Sequence, residues 1–137
     1  MLQKKAVRII TNSSYNEHTP PLFKQLGILP ILELSDFVKL QVMHDYINGK
    51  LPISFENMWQ KNYEVNANTR RNREKFFTPL IRFKAIENFP IFYYQKLWNE
   101  KCDNGLLNAD LSKKIFSRNL KLIQMVNICK NSNCPTC

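Results

Sequence analysis

Three cysteines, Cys129, Cys134 and Cys137, stand at C-x4-C-x2-C spacing just after a basic stretch. Thiolates so spaced are zinc ligands by type. A structural zinc takes four ligands, and Cys102 is the candidate fourth. His18 and His44 are weaker candidates, with no spacing that marks them. Free thiols in a terminal tail account for the same residues, as does an oxidised pair between Cys129 and Cys134 or Cys137. A second feature is charge. From Leu111 to Cys137 there is no Asp or Glu, while Lys113, Lys114, Arg118, Lys121 and Lys130 all fall there. A basic surface without carboxylates suits a polyanion. The third feature is Arg70, Arg71, Arg73 and Lys75, interleaved with Asn66, Asn68 and Asn72. Guanidinium forks match phosphate oxygens, and Asn amides reach sugar or base edges. Phe76, Phe77 and Phe83 follow. Bases stack on such rings, but burial in a core is their more common use.

Catalysis finds no footing in the same inventory. Asp36, Asp45, Asp103 and Asp110 are isolated from one another, so no paired carboxylates are available for acid–base work or a metal pair. No nucleophile motif lies beside His44, which reads as a hydrogen-bonded histidine on the apolar side of a helix. With three glycines in the chain, a Gly-rich phosphate cradle is excluded. The expectation is a chain that is not an enzyme.

These residues need a frame. At 137 residues and 44% hydrophobic content, the chain suits one folded domain with a modest core. Twenty basic residues against eleven acidic ones give +9, which favours nucleic acid or an anionic surface. The excess is unevenly placed. Glu33 to Gln60 carries four acids and two lysines, whereas Lys61 to Lys84 carries seven bases and two acids. No run approaches the ~20 apolar residues of a membrane span. Residues 1–30 lack the apolar core of a signal peptide. The expected setting is intracellular, nuclear or cytoplasmic, with reduced thiols and no membrane.

Periodicity predicts a mostly α fold: a small helical domain over 1–126, a basic loop or short β-hairpin at about 61–83, and a cysteine-containing tail over 127–137. Leu2, Ala6, Ile9 and Ile10 form the stripe of a first helix over 2–10. Thr19 with Pro20 and Pro21 opens a second, closed at Gly27. A long helix over 32–48 has apolar residues on two faces, Phe37, Leu40 and Ile47 on one and Leu34, Val38 and Val42 on the other. That pattern predicts a central position. A short helix is expected from Ser54 to Gln60. Pro90 should interrupt the aromatic stretch 85–100, leaving a helix that carries Tyr93, Tyr94, Leu97 and Trp98 into the core. A last helix over 111–126 should bury Leu111, Ile115, Leu122, Met125 and Val126 and expose Lys113, Lys114, Ser117, Lys121 and Gln124.

Four phrases add a resemblance. LQKKAVRIITNSSYNEHTPPLFKQLGIL resembles the segment just downstream of the polymerase domain in non-LTR (LINE-like) retrotransposon reverse transcriptases. NTRRNREKFFTPLIRF, FPIFYYQKLWN and CKNSNCPTC match the same region in the same order. The resemblance implies a multidomain parent with endonuclease and reverse transcriptase domains, of which this chain is a C-terminal portion. The polymerase's Tyr-x-Asp-Asp motif has no counterpart here, so no catalytic residue carries over. What the resemblance implies is an accessory role in holding RNA or DNA, with the polymerase and endonuclease domains as further partners. The alternatives are a module that packs against those domains, or a remnant without present function.

Overall fold

The computed structural model describes residues 2–102 and 109–130, with the side chains of Cys129 and Lys130 left out. The described chain is mostly helical. Its elements are α1 (Leu2–Ile10), α2 (Thr19–Leu26), α3 (Ile31–Ile47), a 3-10 turn (Ile53–Phe55), α4 (Asn62–Val65), α5 (Lys84–Glu87), α6 (Pro90–Lys101) and α7 (Lys113–Lys130). Among the described residues there is no strand. One isolated antiparallel bridge joins Lys61 and Phe76, so the segment after α3 is a pinned loop and not a hairpin. None of the described helices is long and apolar enough to cross a membrane.

The chain divides into two compact units. One holds the chain up to Phe37 and from Ser117 onward; the other runs from Val38 to Phe116. In the first unit, Val7, Leu22 and Phe23 form a buried cluster with Leu26 against it. Gln3, one turn before Val7, faces the same way. Its Nε2 donates to the Leu29 carbonyl (3.1 Å), and its Oε1 accepts the Ile31 N–H (2.9 Å). That second bond satisfies a peptide group at the start of α3, where no earlier helical turn exists to accept it. The loop 11–18 is held by Arg8, whose guanidinium donates twice to the Glu17 carbonyl (3.0 and 2.8 Å). Gly27 closes α2 at φ 64°, and its N–H reaches back to Lys24.

The α1 stripe expected from sequence is not the buried one. Val7 is buried, while Leu2, Ile9 and Ile10 are exposed. Position 7 meets the side chains of α2, and Gln3 spends that same side of the helix on backbone hydrogen bonds. The long helix α3 departs similarly. Leu40, Met43 and His44 are buried, while Leu34 and Val38, two of the three residues of the second expected face, lie exposed.

The second unit is an aromatic stack. Phe116 is fully buried between two partners, with His44 stacked at 4.3 Å and Trp98 at 5.8 Å between centroids. Trp59 meets Tyr46 edge-on at 4.9 Å and Tyr94 face to face at 5.9 Å. Leu97 and Trp98 are buried on α6, as the sequence predicts. Pro90 divides the aromatic stretch as expected, with the short α5 before it and this helix after it. It occupies the first turn, where the missing N–H costs nothing. The helix expected at 54–60 shrinks to the 3-10 turn, and Trp59 is drawn inward. Its indole N–H donates to the Ile91 carbonyl (2.9 Å).

Helix α7 begins at Lys113, runs past Val126 to Lys130, and corrects the expected face. Phe116, Leu120, Gln124 and Ile128 are buried at i, i+4 spacing, while Ile115, Leu122 and Val126 are exposed. Both stripes satisfy a helical period, and the aromatic Phe116 selects the first. Gln124, expected outside, is therefore inside.

Truncating Phe116 to Ala should cost roughly 3–5 kcal/mol by loss of transfer energy and cavity formation. Ile115→Ser, one position away but 49% exposed, should stay within about 0.5 kcal/mol of wild type. Denaturant unfolding of both variants checks the assignment of faces. A pH effect belongs to the pair Lys96–Glu87. The hydrogen bond from Lys96 and then its charge hold the Glu87 carboxyl below the ordinary carboxylate range, and Glu87 in turn raises Lys96. A depressed carboxyl contributes above its unfolded pKa, and that contribution is lost as pH falls through its folded value. The pair is exposed, so the effect is small and screened by salt. Lys96→Met should lower the melting temperature slightly at pH 7 and low salt, by a margin that narrows as pH falls below the ordinary carboxylate range.

Candidate nucleic-acid interface

The basic loop lies between Lys61 and Phe76. Its base is closed by backbone bonds, from Asn62 N–H to the Lys75 carbonyl (2.9 Å) and from Phe77 N–H to the Gln60 carbonyl (2.8 Å). Only a few backbone bonds join the two arms, and Asn99 of α6 adds to them. Its Oδ1 accepts the Phe76 N–H (2.9 Å), and its Nδ2 donates to the Phe76 carbonyl (2.8 Å). One amide thus satisfies both polar groups of a single peptide position. Within the loop, Glu64 Oε2 accepts the Lys61 N–H (2.8 Å), which caps α4. Asn62 Nδ2 donates to the Asn72 carbonyl (2.8 Å). Asn72 itself has φ 53°, a left-handed conformation that Asn tolerates better than most residues.

These bonds decide which charges remain outward. The loop's two carboxylates are engaged: Glu64 in the cap, and Glu74 with Lys61 Nζ (3.2 Å). Arg70, Arg71 and Arg73 are exposed and make no ion pair among the described residues. The Arg73 guanidinium lies over the Tyr63 ring at 5.5 Å, and Lys61 Nζ sits 5.7 Å from the same ring. Lys75 is half-buried and engaged. An open recess of about 530 Å³ is lined by Ala67, Asn68, Thr69, Arg70 and Arg73.

The other expected site residues fare differently. Phe76 is buried, while Phe77 and Phe83 are exposed. On α7, Lys114, Arg118 and Lys121 follow at i, i+4, i+7 and are exposed. Lys113 is tied instead to Asp45 Oδ2 at 2.6 Å. His44 is fully buried, and its Nε2–H donates to the Leu111 carbonyl (2.9 Å). Cys102 is half-buried immediately after α6. Cys129 falls within α7, but its side chain, with Cys134 and Cys137, lies outside the described residues. Among the described residues no three His, Cys, Asp or Glu gather as a metal site.

Sequence reasoning missed Tyr63, Asn62 and Asn99, which orient the loop. An asparagine directly after a buried tryptophan on an aromatic helix was the available signal for Asn99. Comparison with family models, curated proteins and solved structures finds no match for this chain.

Asn99→Ala should strand both polar groups of Phe76 and cost about 1–3 kcal/mol. Hydrogen exchange should quicken at the Phe76 and Phe77 amides well before it changes at Leu97 or Phe116. Equal protection in wild type and variant would count against the clamp.

Proposed function

We propose that the chain is a non-catalytic accessory domain that binds RNA or DNA through backbone phosphates, as expected of the C-terminal region of a retrotransposon reverse transcriptase. One observation carries the reading. Three arginines project from a pinned loop whose own carboxylates are occupied elsewhere. Unpaired guanidinium groups on a fixed backbone suit phosphate oxygens, which fix register without reading sequence. On α7, the exposed Lys114, Arg118 and Lys121 are further cations of the kind that phosphates attract. The exposed Phe77 and Phe83 add faces for stacking unpaired bases.

A second reading has its own support. Between Leu80 and Phe89 the chain exposes Leu80 completely, Phe83 at 69% and Phe89 at 58%. Large apolar side chains left exposed this close together in sequence are ones a protein contact would cover. On this reading the chain packs against neighbouring polymerase or endonuclease domains. The two readings are compatible, since different residues carry them.

Salt dependence separates them. Each phosphate contact contributes about −0.9 to the log–log salt slope on duplex DNA and about −0.7 on a single strand. Replacing Arg70, Arg71 and Arg73 with Gln should weaken binding to many sequences alike and flatten the slope by roughly two to three. Stability should hardly change, because exposed charges contribute little to folding. A folded triple variant with unchanged affinity and slope would remove the arginines from the interface and leave the apolar segment as the functional surface.

A further inference from the structure

We infer that the recess on the basic loop is a discrete seat for one phosphate group, with Arg73 and Arg70 as its cationic jaws and Tyr63 as the residue that positions Arg73. The inference rests on the nucleic-acid reading for the identity of the molecule that carries the phosphate. The chemistry of the recess stands on its own. Its lining residues include two arginines, Thr69 and Asn68, and no carboxylate. These groups together offer donors on several sides, as a tetrahedral oxyanion requires.

Pre-organisation distinguishes this recess from a scatter of surface arginines. The Asn68 N–H donates to Asn66 Oδ1 (3.0 Å), and the Thr69 N–H to the Asn66 carbonyl (3.0 Å), so the floor of the recess is a closed turn. Arg73 lies over Tyr63, which is itself part of α4. A cation over an aromatic face keeps its charge and its outward N–H donors while losing rotamer freedom. Less ordering is then left for the ligand to impose. Arg71 does not line the recess.

Phosphate titration of the full 137-residue chain, followed by NMR against sodium chloride at matched ionic strength, is the test. Saturable shifts should appear at Asn68, Thr69, Arg70 and Arg73. Arg73→Gln should weaken the binding roughly tenfold, the loss expected for one charge-assisted contact. Tyr63→Leu should weaken it as well, and Tyr63→Phe should restore it, since the ring and not the hydroxyl holds the guanidinium. Spectra unchanged elsewhere report that each variant is folded. Shifts that appear equally in chloride, or that persist in Arg73→Gln and Tyr63→Leu, would overturn the seat. Competition by oligonucleotides with and without a 5′-phosphate identifies the source. Equal competition assigns the seat to an internal diester, and preference for the phosphorylated strand assigns it to a terminal monoester. Inorganic phosphate binding with no oligonucleotide binding would keep the seat and remove the nucleic-acid reading. Oligonucleotide binding indifferent to Arg73→Gln and Tyr63→Leu would do the reverse.

Discussion

Irregular backbone without a strand ladder must find partners for its peptide groups, and the Val38–Phe116 unit meets that demand with side chains carried on helices. Asn99 on α6 takes both polar groups of Phe76. Tyr46 on α3 donates to the Trp59 carbonyl at 2.7 Å. His44, two residues before it, donates to the Leu111 carbonyl, and Asn48 Nδ2 donates to the Ala109 carbonyl at 3.0 Å. Three positions at the end of one helix thus tie down two separate loops. Each anchor is also an aromatic neighbour or sits beside one, so packing and hydrogen bonding enforce the same geometry. The aromatic stack supplies apolar burial, and these side-chain bonds let irregular chain run over it without stranded peptide groups.

Helix positions were largely legible in the sequence, because proline, glycine and periodicity are local signals. The expected spans at 2–10 and from Thr19 to about Leu26 coincide with α1 and α2, and the long helix differs by one residue at each end. Faces were less legible. Helices α1, α3 and α7 each carry two apolar stripes, and a helical wheel gives no reason to prefer one. The choice is made by distant residues: α2 for Val7, and the His44 and Trp98 rings for Phe116. Pro90, by contrast, is a local signal, and it divides α5 from α6 as expected. The same residue stops a helix or starts one, depending on where the chain enters, and here it starts α6.

The candidate interface follows the same division. Local charge excess and interleaved asparagines pointed to Arg70, Arg71 and Arg73, since composition along a short segment survives folding. The accounting of charge did not. Lys113 belongs to Asp45 and Glu74 to Lys61, pairings that span many residues and leave no trace in local composition. The supporting residues were hidden for a related reason. Asn99 and Tyr63 carry no charge and match no motif, and their importance lies wholly in what they touch.

The way the basic loop is closed bears on how such a surface varies. Its clasp sits at Lys61, Asn62 and Phe76, with the amide of Asn99 outside the loop. The tip beyond that clasp contributes no buried residue. Lengthening a loop adds little closure entropy, because the cost grows only with the logarithm of length. Insertions, deletions or wholesale exchange of the tip between Asn66 and Arg71 therefore burden the aromatic core very little. Changes at the clasp burden it directly. The loop is in effect a replaceable cartridge on a fixed mount, and its outward side chains can be changed without reopening the question of how the chain folds.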